Sequence, residues 1–184
     1  SLKKMSSSDA LFDLGKLDNI SKNIISQMKA KDVYQEYLDW AKKYDDHIYS
    51  LISQYKEDTI AFLNIEREVK KPRKDYENYS SIFPKTWYLY DEEWDRDLVY
   101  DFKNIKGKEE ITSIMTEYLE HYYKEDDTEE EWFSKIKDLC SKMGYAADMK
   151  EFKENPGKFK GNVADFTTAI RVVLTTSSMT PNLY

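Results

Sequence analysis

Apolar positions recur along this chain at steps of three and four residues. Val33, Tyr34, Tyr37, Leu38, Ala41 and Tyr44 form one such series, and Ile111, Ile114, Met115, Tyr118, Leu119 and Tyr122 form a second, just after Gly107. That spacing lines one face of a helix and predicts two amphipathic helices. A third is predicted to open at Thr128, whose hydroxyl caps the first turn while Glu131 reaches back to it. It carries Trp132, Phe133, Ile136, Leu139, Cys140 and Met143 inward, and Gly144 supplies a left-handed stop. A fourth starts at Asn162 as cap and carries Val163, Phe166, Ala169, Ile170, Val173 and Leu174. Shorter helices are expected over 19–28 and 46–68. No run alternates long enough to force a strand, so the pattern predicts an all-α fold. Two breaks read as hinges between helical groups: residues 70–84, bracketed by Pro72 and Pro84, and residues 145–161, with Pro156, Gly157 and Gly161.

Composition is compatible with that pattern. The 184 residues are 40% hydrophobic and 34% charged, enough to build the core of one domain or of two small subdomains sharing a core. Only 5 Gly and 4 Pro interrupt it, which suits long helices. The single cysteine, Cys140, excludes an internal disulfide framework and points to a reducing, cytoplasmic setting. No apolar run reaches the roughly 18 residues of a membrane span, so no membrane partner is expected. The formal charge of −7 argues at first against a nucleic-acid partner. Its distribution changes that reading. Residues 90–131 hold sixteen acidic and five basic side chains, a net −11, which leaves the rest of the chain at +4. Two basic clusters stand out: Lys70, Lys71, Arg73 and Lys74 around Pro72, and Lys150, Lys153, Lys158 and Lys160 around Pro156-Gly157.

Little in the chain suggests chemistry. His47 and His121 each lack a second ligand at helical spacing or a nearby cysteine. Cys140 lies on an apolar stripe and reads as a buried, inert thiol. There is no Gly-rich phosphate loop and no serine elbow. The acidic run Glu92, Glu93, Asp95, Asp97, Asp101 lacks the Gly and terminal Glu of a calcium loop and reads as a solvated face. No catalytic residue, cofactor site or metal site is predicted within this chain.

Two motifs are more specific. Ser8-Asp9-Ala10-Leu11-Phe12-Asp13-Leu14-Gly15-Lys16-Leu17 resembles the S-x-A-x-F-D-x-x-K-L signature of glutamyl-tRNA synthetases. Read physically, Phe12 would plug a helix junction and Asp13 would cap the next helix. At the other end, Ile170-Arg171-Val172-Val173-Leu174-Thr175-Thr176 followed by Thr180-Pro181-Asn182-Leu183-Tyr184 resembles that family's L-R-x-A-L-T-G and T/S-P-x-L. The departures are Val172-Val173 in place of a small residue and Thr176 in place of Gly. Lys4-Met5-Ser6-Ser7-Ser8 also invites comparison with the KMSKS loop of class I synthetases, but it lacks the second lysine and any nucleotide-binding fold to serve; it reads as a Ser-rich approach to a helix.

The resemblance implies a helical cage or bundle, the anticodon-binding region of class I aminoacyl-tRNA synthetases. Residues 1–70 would be stem-contact helices and residues 71–184 the anticodon-binding bundle, with the catalytic domain absent from this chain. In the family, equivalents of Arg171, Thr180, Pro181 and Leu183 surround the first two anticodon bases, and an Arg in the turn matched by Arg73 reads the third. Lys70, Lys71, Lys74, Lys158 and Lys160 are candidate phosphate contacts. The implied partner is glutamate tRNA, with charging of glutamine tRNA left open, and the implied state is a monomer. ATP and Mg²⁺ would serve only the full-length enzyme, and this chain would do no chemistry. The acidic stretch would face away from the RNA. Two alternatives stand beside this reading: the class I lysyl-tRNA synthetase cage, and an acidic helical module that binds proteins through tyrosine-rich faces. On the residues alone, Arg171 also reads as a surface ion pair and the Lys70–Lys74 turn as a solvated helix end.

Overall fold

The structure is a computed structural model that describes residues 13–94, 97–180 and 183–184. The Lys4–Ser8 stretch, Phe12 and Pro181 lie outside the described residues. The chain is all-α: eight α-helices and several single 3-10 turns are found among the described residues, with one isolated bridge and no strand. It divides into two compact units, the first ending at Tyr90 and the second beginning at Asp91.

In the first unit, α1 (Leu14–Gln27) is capped by Asp13, whose carboxylate accepts from the Lys16 N–H, the role its position predicts. Helix α2 (Ala30–Tyr44) buries Val33, Tyr34, Tyr37 and Ala41 against α3 (Asp46–Gln54) and α4 (Lys56–Leu63). Each large side chain so buried contributes about 1.5–3 kcal/mol. The single helix expected over 46–68 is instead two, because Tyr55 leaves helical geometry at φ −101°, ψ 42°. Its ring packs on Tyr90, whose hydroxyl meets Thr59 Oγ1 at 3.1 Å.

The predicted break at 70–84 does not separate helical groups. Tyr76 and Ile82 from this stretch are buried in the first core, and Lys85 and Lys22 of α1 both pair with Glu77, at 2.7 and 2.8 Å. Charge and proline suggested a solvated break; the buried Tyr76, Ile82 and Thr86 override them. The division instead falls between Tyr90 and Asp91. Buried Arg67 ties the unit together by donating to the carbonyls of Leu63, Ile25 and Met28.

In the second unit, α5 (Lys108–Glu117) follows Gly107, which sits at φ +101°. Its last turn widens into a π-turn over Tyr118–Tyr122, closed by Tyr123 N–H on the Tyr118 carbonyl. Helix α6 (Glu129–Lys142) opens with the predicted Thr128–Glu131 capping box and stops at Gly144, φ +84°. After a short α7 (Met149–Glu154), α8 (Val163–Thr175) opens on Asn162, reciprocally capped with Asp165. Helix α6 packs on α8 around Ile136, Leu139, Cys140, Phe166, Ala169 and Ile170. Burial pushes the Cys140 thiol up to about 12, which keeps it protonated and unreactive near neutral pH. The second predicted hinge lies within this unit: Tyr145 and Ala146 are buried, and the Ala146 N–H donates to the Gly161 carbonyl at 3.0 Å.

Candidate nucleic-acid interface

The last turn of α8 and the segment after it bring together three of the residues singled out from sequence. Arg171 lies at the edge of the helix's apolar face, half-buried beside Ile170 and Val172. The helix stops at Thr176, which takes the left-handed conformation at φ 57°, ψ 0° where the family motif has Gly. Thr175 Oγ1 donates to the Arg171 carbonyl at 2.8 Å and accepts from the Ser177 N–H, while Ser177 Oγ bonds both backbone groups of Met179. This hydroxyl-braced reversal returns the chain to Arg171, whose Nε donates to Thr180 Oγ1 at 3.1 Å. Leu183 then packs onto the second core. The Thr180 hydroxyl thus fixes the direction of the planar Arg171 guanidinium.

Three aromatic residues at or near this cluster were not among the expected site residues. The Tyr184 ring lies 6.0 Å from that of Trp132, and Trp132 lies 6.4 Å from Phe133. Trp132 and Phe133 were expected as core, yet Phe133 is 38% exposed and Tyr184 53%. The Tyr184 hydroxyl donates to the Asp127 carbonyl at 2.6 Å, so the end of the acidic stretch lies beside this cluster rather than apart from it. The Asp127 carboxylate is paired there with Lys135.

The other candidates are placed differently. Arg73, in the first unit, gives two hydrogen bonds of 3.1 Å to Asp75 and faces Glu66 at 3.3 Å, which strengthens its hold on its proton. Lys70, Lys71 and Lys74 are exposed around it. Lys160 is committed: it pairs with Glu110 at 2.9 Å, and the Tyr145 hydroxyl meets the same carboxylate oxygen at 3.1 Å. Lys158 lies over the Phe159 ring and 3.8 Å from Glu151. Among the described residues no group of three or more His, Cys, Asp or Glu could hold a metal. No described helix is long and apolar enough to cross a membrane.

No family model matches the chain, and no solved structure matches it. Curated proteins do. It is 39% identical over 184 residues to a glutamate–tRNA ligase of Acetivibrio thermocellus, covering 100% of this chain and 33% of that protein. A glutamate–tRNA ligase of Clostridium perfringens matches at 39%, with 100% and 34% covered. That of Sorangium cellulosum matches at 32%, with 99% and 32% covered. The chain thus spans about a third of the length of the relatives it matches. Motifs at both ends and similarity along the whole sequence agree: over its full length the chain is similar to about a third of each of these glutamate–tRNA ligases, consistent with a fragment of that enzyme.

Proposed function

We propose that this chain is the anticodon-binding region of a glutamate–tRNA ligase and that its partner is glutamate tRNA. The observation that carries this is the Arg171 Nε–Thr180 Oγ1 hydrogen bond, which joins two motif residues nine positions apart into one rigid donor site. Arg171, Thr180, Pro181 and Leu183 hold the first two anticodon bases. The exposed ring of Tyr184 beside Trp132 offers a surface on which an unstacked base can lie. Arg73 reads the third base, and its clamp by Asp75 and Glu66 supports this by fixing the guanidinium's direction. Lys70, Lys71, Lys74 and Lys158 contact phosphates and position the loop without specifying it. The helices that open the first unit serve as stem contacts, and the anticodon-contacting part runs from the Lys70–Lys74 turn of that unit through the second unit, Asp91–Tyr184. Activation of glutamate with ATP and Mg²⁺ belongs to a catalytic part outside this chain.

The test is binding of fluorescent anticodon stem-loops for glutamate and glutamine tRNAs. Wild type is expected to prefer the glutamate stem-loop, and Arg73→Gln to reduce that preference by about 5–150-fold, the worth of one good base contact. Equal affinity for both stem-loops, unchanged by the substitution, would remove Arg73 from this role.

A further inference from the structure

Lys85 lies outside both basic clusters of the sequence, yet it holds the backbone on which Arg73 is clamped. Residues 72–76 run without regular secondary structure, so no helix or ladder fixes the direction of Arg73. Side chains do that instead. Lys85, in the 3-10 turn Phe83–Lys85, donates from Nζ to the Asp75 carbonyl at 2.6 Å and to the Glu77 carboxylate at 2.7 Å. The other oxygen of that carboxylate pairs with Lys22 of α1 at 2.8 Å, and the Tyr76 ring between the two anchor points is buried. Asp75, Tyr76 and Glu77 are thus pinned in succession by a carbonyl, a ring and a carboxylate. From this fixed backbone the Asp75 carboxylate takes Nε and Nη2 of Arg73, at 3.1 Å each. The Arg73 N–H in turn donates to the Glu66 carbonyl at 3.3 Å, and Glu66 is left-handed at φ 49°. A glutamate keeps that conformation only where its surroundings impose it.

We propose that Lys85 is a positioning residue for anticodon discrimination: by holding the Asp75 carbonyl it sets the direction in which Asp75 presents the Arg73 guanidinium. This rests on the reading of Arg73 as the contact to the third anticodon base. Two features favour positioning over stabilisation or a phosphate contact. The Lys85 side chain is 40% exposed, and ion pairs this exposed add little stability. Its ammonium is also committed to two acceptors of its own chain, whereas Lys70, Lys71 and Lys74 are exposed around Arg73. The demand for such a brace is geometric. A planar guanidinium recognises a base only when held within about 0.5 Å and 10–20° of the productive geometry.

The test is the preference of this chain for glutamate over glutamine anticodon stem-loops, measured by fluorescence titration for wild type, Lys85→Met, Arg73→Gln and the double variant, with the melting temperature of each. Methionine keeps an unbranched apolar stem without the ammonium. Lys85→Met is expected to lower the preference at least about threefold with the fold retained, within the coupling found inside one hydrogen-bonded network. In the Arg73→Gln background it is expected to lower it no further. In heteronuclear NMR spectra the Arg73 Nε–H signal, identified by its loss in Arg73→Gln, is expected to be sharp in wild type and exchange-broadened in Lys85→Met, a change that a merely stabilising lysine would not produce. An effect of Arg73→Gln with none of Lys85→Met overturns the inference and leaves the reading of Arg73 standing; no effect of either removes both. Equal weakening on both stem-loops makes Lys85 a phosphate contact and overturns the inference, as does an unchanged Arg73 signal. Should Lys85→Met not fold, Lys85→Gln gives the same comparison.

Discussion

Thr176→Gly is expected to stabilise the second unit. Thr176 ends α8 at φ 57°, a left-handed conformation that crowds the Cβ of any L-residue and costs about 1–2 kcal/mol. Its N–H caps the Val172 carbonyl at 2.8 Å, a bond that glycine keeps. Glycine loses about 0.5–1 kcal/mol more backbone entropy on folding. The balance is a gain of roughly 0.5–1 kcal/mol, or about 2–8 °C in the melting temperature of a unit of this size. Differential scanning calorimetry of wild type, Thr176→Gly and Thr176→Ala measures it. Alanine keeps a Cβ in the left-handed region and is expected to gain little. An unchanged or lowered melting temperature for Thr176→Gly, or an equal gain for Thr176→Ala, would refute the assignment of strain to this turn.

Substitutions at three further positions probe the first unit. The Tyr37 hydroxyl is buried with no hydrogen-bond partner among the described residues, so Tyr37→Phe is expected to be neutral or stabilising by about 1 kcal/mol in urea unfolding, whereas Tyr37→Ala loses about 3–5 kcal/mol. Arg67→Ala removes the guanidinium donor from three backbone carbonyls and is expected to cost about 2–4 kcal/mol, with Arg67→Lys recovering only part because an ammonium cannot reproduce the fork. Hydrogen bonds from Lys22, then Lys85, hold the Glu77 carboxyl well below its ordinary value of 4.5. A depressed folded-state pKa gives stability that is present above that value and fades as pH falls below it. The difference in unfolding free energy between wild type and Glu77→Gln is therefore expected to be largest near neutrality and to shrink steadily below pH 4.5; a difference independent of pH contradicts the pairing.

Local signals carried most of the fold. The Thr128–Glu131 and Asn162 caps and the Gly144 stop depend on residues within four positions of one another, and each is found where its sequence places it. What failed depended on distant partners. Tyr55, where a helix breaks, packs its ring on Tyr90, thirty-five residues on, and the stretch after Pro72 joins the first core through Tyr76 and Ile82. At the candidate interface, Arg171 and Thr180 were legible as members of one motif, but not the bond between them, which needs the Thr175 and Ser177 hydroxyls to turn the chain. Lys160 was legible only as a charge; its pairing with Glu110 spans fifty residues.

Anticodon recognition through Arg171 is tested most directly by titrating a fluorescent glutamate-tRNA anticodon stem-loop with wild type and Arg171→Ala at two salt concentrations. The account predicts binding that weakens as salt rises, because phosphate contacts release counterions. It also predicts a loss of about 5–150-fold in affinity for Arg171→Ala with thermal stability retained. Salt-insensitive binding that does not distinguish this stem-loop from unrelated ones, or an Arg171→Ala variant that binds like wild type, would contradict it.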